Sequence, residues 1–336
     1  MKNIVISGYY GFDNFGDETV LKILTEHLCD ENVTVISSNP AKTVLKYKVN
    51  SIKTFDFPKI IDFIKNSDIF ISGGGSLLQD VTSLRSLLYY IFLIKIALFF
   101  KKKVVIFAQG IGPLNSPVSR FLVKNTLKKC EIVTVRDEKS LFLLRGWGIS
   151  KTDLVCDPLF ALPCTHTVTM KNKIGVQLRG FKTLSDDFLS NLAHHIVKNF
   201  PDKSVDLFSF QDELDLKVCE KFEKMLKTYN PEINCQIYKS MEYQEYVQHF
   251  AELEYMIAMR FHACILALKC GIKTMAISYD DKVQKLADEA GIPCMSLINP
   301  QDPEILFSML KSLNPDKLYK FADQKSFDWS VFKGVI

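Results

Sequence analysis

The feature that most constrains this chain is an alternation repeated twice along it: short Val/Ile-rich runs, each followed by helical periodicity. Residues 4–7, 33–37, 69–72, 104–108 and 132–135 form the first set. These runs are continuously apolar rather than alternating, as expected of strands covered on both faces, so helices must pack on both sides of a parallel sheet. Val20, Leu21, Leu24 and Leu28 recur on one helical face after Asp17, which reads as an N-cap. A second set follows at residues 174–178, 205–209, 255–258, 273–278 and 293–297, with helices read at 214–226 and 261–269. Between the sets, residues 159–173 carry Pro163, Thr165, Thr167 and Thr169 without periodicity. The expectation is two Rossmann-like α/β domains, residues 1–163 and 164–315, facing each other across a cleft. A tail, residues 316–336, holds Phe321, Phe327, Trp329 and Phe332 and is expected to pack back on the first domain.

A chain of 336 residues suits two domains, and 47% apolar with 24% charged residues is the balance of an ordered globular protein. The net charge of +4 comes with no cluster of interleaved basic and aromatic residues of the kind that reads nucleic acid, so no nucleic-acid partner is expected. Nine cysteines without a CxxC pair read as reduced, mostly buried thiols of a cytoplasmic protein. The opening Met1-Lys2-Asn3 leads into an apolar run too short for a signal peptide. Residues 84–103 are broken by Arg85, Lys95 and the triplet Lys101 to Lys103, too often to span a bilayer. Their aromatic residues and lysines instead suit peripheral contact with anionic lipid at the inner face of the cell membrane, set against an ordinary helix packed on the sheet.

Ligands of open α/β sheets gather beyond the carboxyl ends of the strands. The loop there after the first strand runs Gly8-Tyr9-Tyr10-Gly11-Phe12-Asp13-Asn14-Phe15-Gly16-Asp17-Glu18. It has neither the GxGxxG nor the GK[ST] pattern, but Tyr9 and Tyr10 could stack on a sugar ring while Asp13, Asp17 and Glu18 accept from its hydroxyls. Gly73-Gly74-Gly75 and Gln109-Gly110-Ile111-Gly112 supply two further backbone-exposing turns. Arginines close two strands: Arg136, for which Asp137 or Glu138 is an available structural partner, and Arg179. A planar guanidinium suits a carboxylate or phosphate. In Met259-Arg260-Phe261-His262-Ala263 a strand turns straight into a helix, placing Arg260 and His262 at an anion-attracting helix N-terminus. The remaining histidines, His27, His166, His194 and His195, form no HExxH or Cys/His cluster, so neither metal nor other cofactor is expected.

Taken together, Gly8 to Phe12 with Gly16-Asp17-Glu18, Gly73 to Asp80, Ala108 to Pro113, Val135 to Asp137, Asp157-Pro158, Met259 to Ala263 and Ile277 to Asp280 resemble the polysaccharide pyruvyl transferase family, most closely its bacterial cell-wall branch called CsaB. The resemblance implies a GT-B-like fold. It also implies transfer of the enolpyruvyl group of phosphoenolpyruvate onto a sugar as a ketal, with release of phosphate. The acceptor implied is N-acetylmannosamine of a lipid-linked cell-wall polysaccharide precursor, and the ketal serves surface-layer anchoring. It makes Arg260 and Phe261 donor-binding and His262 the general acid, with Arg136 and Arg179 as further donor arginines. Tyr9, Tyr10, Asp13, Asp17, Glu18, Gly74, Gly75 and Gln109 are expected on the acceptor side, in the first domain. The rival readings are a nucleotide-sugar-dependent glycosyltransferase and a non-catalytic carbohydrate-binding protein of the same fold.

Overall fold

The computed structural model describes residues 1–164, 172–181, 184–297 and 301–335. His166, the threonines of the connecting stretch and Lys182 lie outside the described residues. The chain divides into two compact units, Met1–Leu162 together with Ser326–Ile336, and Pro163–Lys325.

The first unit runs β1 (Asn3–Ser7), α1 (Phe15–His27), β2 (Asn32–Ser37), α2 (Pro40–Tyr47), β3 (Asn50–Lys53), α3 (Phe57–Asn66), β4 (Ile69–Ser72), α4 (Leu84–Phe99), β5 (Lys103–Gln109), α5 (Pro117–Leu127), β6 (Ile132–Val135), α6 (Glu138–Gly146) and β7 (Thr152–Leu154). The second runs β8 (Lys173–Gln177), α7 (Asp186–Asn199), β9 (Ser204–Phe208), α8 (Asp212–Tyr229), β10 (Cys235–Tyr238), α9 (Tyr243–Phe250), β11 (Tyr255–Ala258), α10 (Phe261–Lys269), β12 (Lys273–Ser278), α11 (Asp281–Ala290), β13 (Cys294–Ser296), α12 (Pro303–Ser312) and α13 (Pro315–Asp323). Among the described residues the two parallel sheets have orders β3-β2-β1-β4-β5-β6-β7 and β10-β9-β8-β11-β12-β13. In each the strand order reverses at one point, between β1 and β4 in the first and between β8 and β11 in the second. There, helices leaving adjacent strands diverge to opposite faces and open a crevice.

The strands that the apolar runs do not reveal are β3, β7 and β10. All three lie at sheet edges, where partial exposure relaxes the demand for an unbroken apolar run. The N-cap of α1 is Asn14, whose side chain accepts from Gly16 N, so Asp17 and Glu18 sit inside the first helical turn rather than ahead of it. One apolar layer of the first unit gathers Ile60, Leu87, Ile94, Val123 and Leu144 under α3 to α6. The opposite layer holds Val20, Leu21 and Leu24 of α1 together with Phe327 and Phe332. The ring of Phe107 on β5 lies 5.3 Å from those of both Phe327 and Phe332. Helix α13 packs instead on α10 of the second unit, so of residues 316–336 only those from Ser326 onward join the first.

The cysteines are not all free. Cys164 is joined to Cys270, at the end of α10, across a Cα separation of 5.9 Å that suits a disulfide. Cys130, Cys219, Cys264 and Cys294 are buried thiols, and burial pushes the Cys130 and Cys219 thiols up to about 12.

Candidate functional site

At the first reversal point, the loops beyond β1, β4 and β5 are closed on one another. Glu18 is buried, and its carboxylate accepts from Gly11 N at 2.7 Å and from the Tyr47 hydroxyl at 2.6 Å. Burial pushes this carboxyl above its ordinary 4.5, against the pull of those two bonds. Tyr10 is also buried. A Cβ on Gly73 would come within 1.9 Å of its hydroxyl, and one on Gly8 within 2.4 Å of its ring, so both glycines are required by close approach. Gln109 is fully buried and donates through Nε2 to Ser72 Oγ and to Gly73 O, each at 2.7 Å. Gly74 and Gly75 are buried too, with room beside them taken up by Val20 and Asp17 respectively.

Five residues expected to touch a sugar are thus buried. Tyr10, Glu18, Gln109, Gly74 and Gly75 lie among the closed loops, and Glu18 is the most exposed of the polar ones, at 8%. What the loop after β1 presents is Tyr9, stacked on Phe12 with ring centroids 4.1 Å apart, the partly exposed Asp17, and the exposed Asp13, paired with Lys42 at 2.6 Å. Asp80 accepts from Asn115 N and Ser116 N, and these bonds hold its carboxyl below the ordinary range while fixing the start of α5.

The three arginines differ sharply in their surroundings. Arg136 pairs with Asp157 at 2.7 Å, and both side chains are buried. Asp137 is not its partner: it caps α6 through Ser140 N, and Glu138 is exposed. Arg260, 8% exposed, forms a bidentate pair with the fully buried Asp215 through Nε at 2.8 Å and Nη2 at 2.6 Å. Burial pushes the Asp215 carboxyl up, opposed by the Arg260 charge and by the amides of Phe210 and Gln211. Gln177, at the end of β8, accepts from Arg260 N at 2.7 Å and donates to Asp215. The fork expected to grip an anion thus faces inward on two of its nitrogens, and Nη1 makes none of these bonds.

Arg179 has no carboxylate partner among the described residues. Its Nη1 donates to the Tyr279 hydroxyl at 3.1 Å, and the guanidinium lies 5.6 Å from that ring. Arg179 N approaches Met259 Sδ at 3.4 Å, which places this cation beside the β11–α10 junction. Helix α10 starts there without a side-chain cap, and His262 is half-buried in its first turn with Nε2 out of reach of solvent. Phe261 stands edge-on to His262 at 5.5 Å. The second reversal point therefore collects an unneutralised guanidinium, a helix N-terminus and an imidazole, a set suited to an anion that must also be protonated.

The model of the family described as polysaccharide pyruvyl transferase matches residues 14–281, which take in the loops beyond β4, β5, β8 and β11. The chain belongs to the polysaccharide pyruvyl transferase family. No curated protein matches it. Solved structures share the fold of this family member at low identity. HepE of Anabaena, in complex with UDP-glucose, is 10% identical with a TM-score of 0.65, over 98% of this chain and 97% of its own. A UDP-N-acetylglucosamine 2-epimerase from Neisseria meningitidis, bound to UDP-GlcNAc, is 13% identical with a TM-score of 0.60, over 96% and 94%. MurG of Acinetobacter baumannii is 10% identical with a TM-score of 0.58, over 97% and 96%. These are GT-B-like neighbours, and the α/β architecture with two parallel sheets is theirs as well.

Asp157 and Asp215, the counter-ions that fix two of the family member's arginines, are absent from the site residues read in the sequence. Asp215 had a signal. It falls in register with Cys219, Phe222 and Leu226 on the buried stripe of α8, where an acid must be paired.

Proposed function

We propose that this pyruvyl transferase family member moves the enolpyruvyl group of phosphoenolpyruvate onto a sugar hydroxyl pair as a ketal. The observation that carries the reading is the unneutralised Arg179 beside the first turn of α10. Phosphoenolpyruvate carries a carboxylate and a phosphate, and a guanidinium with a helix N-terminus matches such charge. Arg179 and the Nη1 edge of Arg260 bind the donor in this reading, and Phe261 walls it. Asp215 holds Arg260 in place. Arg136, tied to Asp157, supports the loop carrying Ser76, to whose Oγ it donates at 3.2 Å.

The chemistry runs in two additions. His262 gives a proton to the methylene carbon of the donor, and the neighbouring carbon, now oxocarbenium-like, is attacked by one sugar hydroxyl. The second hydroxyl then attacks the same carbon, its C–O bond forming as the bond to phosphate breaks. Both hydroxyl protons leave to bases, and the products are ketal and phosphate. The Tyr9–Phe12 pair with Asp13 and Asp17 supplies the acceptor surface: rings for a pyranose face, carboxylates for hydroxyls. The acceptor proposed is N-acetylmannosamine of a lipid-linked cell-wall precursor, as in the CsaB branch, whose ketal anchors surface-layer proteins, and the enzyme would meet it in the cytoplasm.

The test is incubation of the protein with phosphoenolpyruvate and a lipid-linked N-acetylmannosaminyl disaccharide, following phosphate release and product mass. Acceptor-dependent phosphate and a pyruvyl mass gain, both lost in His262→Ala, are expected. Arg179→Ala should weaken phosphoenolpyruvate binding roughly ten- to a hundred-fold, the loss of a hydrogen bond to a charged group. Saturable binding of a UDP-sugar with none of phosphoenolpyruvate would overturn the donor.

A further inference from the structure

Helices α3, α4 and α5 cover one side of the first sheet, α3 and α5 each packing on α4. The outward stripe of a surface helix is ordinarily polar. On α4 it is apolar: Leu84, Leu88, Phe92 and Phe99 are exposed, Phe99 at 79%, and at 100° per residue they fall within an arc of about 80°. Lys95 shares that arc. The stripe continues sideways on both flanks. Phe57, at the start of α3, stands 5.6 Å from Phe92, and Phe55 stands 5.0 Å from Tyr89 of α4. Phe55 is 65% exposed and holds a φ of 70°, a left-handed conformation that a bulky aromatic residue adopts only at a cost in strain. On α5, Val118 and Phe121 are exposed as well.

The charge carried by α4, α5 and the chain between them has one sign. Residues 81–130 contain nine Lys and Arg and no Asp or Glu, whereas the whole chain has a net charge of only +4, which leaves −5 for the remainder. None of the nine forms an ion pair among the described residues, while lysines of α7 and α8 are paired. Arg85, Lys95, Lys101, Arg120, Lys128 and Lys129 are all exposed. The acids at the α3 edge are Asp56, paired with Lys59, and Asp62.

We infer that this three-helix face docks on an anionic lipid bilayer. Aromatic and leucine side chains at the centre enter the acyl boundary, and the lysines and arginines meet headgroup phosphates, their stems lying along the apolar surface. A second copy of the chain is a poorer occupant, because a two-fold contact would press the exposed cations of this face, Arg85, Lys95, Lys101 and Arg120 among them, against their own copies. Among the described residues no helix is long and apolar enough to cross a membrane, so the contact is peripheral. The inference goes beyond the reaction and stands whatever the donor.

The full chain should sediment with vesicles of phosphatidylcholine and phosphatidylglycerol, remain in the supernatant with phosphatidylcholine alone, and be released by salt. Phe99→Ser should lower the partition coefficient by about tenfold, from the lost burial of one large side chain. The double variant Lys101→Glu/Lys102→Glu should lower it by at least about 25-fold, at roughly fivefold per charge. Ile305→Ser, at an exposed apolar residue of the second unit, should change nothing. Phe99, Lys101 and Ile305 are exposed and Lys102 is half-buried, so unchanged thermal midpoints separate lost docking from lost folding. Failure to sediment with the anionic vesicles, equal sedimentation with neutral ones, or variants that bind like wild type would overturn the inference. So would a dimer in sedimentation velocity that Phe99→Ser dissolves, since the face would then belong to a second copy.

Discussion

The two reversal points are built on the same strand order, yet they are filled in opposite ways. In the first unit the crevice is occupied by the protein itself: the Tyr10 ring lies against two glycines, Glu18 takes an amide and a phenol, and Gln109 bridges β4 and β5. In the second unit Arg260 is paired with Asp215, but Arg179 has no carboxylate partner among the described residues and lies against the Tyr279 hydroxyl and ring. A fold that binds ligands at such a point can therefore fill one copy with its own side chains and leave the other electrostatically incomplete. In the proposed reading, incompleteness, more than the presence of an arginine, marks the donor side.

Asp215→Ala is the severest challenge to this contrast. It leaves a buried guanidinium uncompensated and should cost the second unit about 3–5 kcal/mol in denaturant unfolding. Arg179→Ala should cost that unit no more than about 1 kcal/mol, the scale of an exposed cation–π contact. Equal losses would erase the distinction between structural and ligand-facing arginines. Next in size, Gly73→Ala should cost the first unit about 1–3 kcal/mol through collision with Tyr10. Tyr10→Phe should relieve part of that loss, because the Tyr10 hydroxyl is buried without a hydrogen-bond partner among the described residues. Alone, Tyr10→Phe should leave turnover intact, and a large fall would mean that Tyr10 reaches a substrate.

The smallest effect concerns Glu18. A carboxyl whose folded pKa is raised binds its proton more tightly in the folded state, so its contribution to stability is full below the ordinary 4.5 and is lost as pH rises through the folded value. The stability of wild type relative to Glu18→Gln should thus decline from pH 4 upward, with a slope of at most about 1.4 kcal/mol for each step of one in pH, the limit set by a single proton. A rise over that range would show the ionised form to be the favoured one.

How much of this was legible in the sequence follows from what a linear pattern can carry. Unbroken apolar runs mark central strands, since both faces of those strands are covered, and the edge strands β3, β7 and β10 escape for the same reason. Loop composition marked loops that meet at both reversal points, because glycines and strand-end arginines are local features, whereas the strand order itself is not. Partner choice is not local. Arg136 reaches Asp157 while its neighbour Asp137 caps α6, and Arg260 reaches back to Asp215 on another helix. Tyr9 and Tyr10 are adjacent in sequence and alike in chemistry, but one stacks on Phe12 at the surface while the other fills the core. Only packing separates them.

The return of residues from Ser326 onward to the first unit sets an order on biosynthesis. Domains ordinarily fold in turn as they leave the ribosome. Here the first sheet can form early, but Phe107 stays uncovered until Phe327 and Phe332 have been made, after the entire second unit. The first unit to be translated is thus the last to be completed. A ribosome stalled within the second unit would leave the first with an open apolar face, a ready substrate for chaperones.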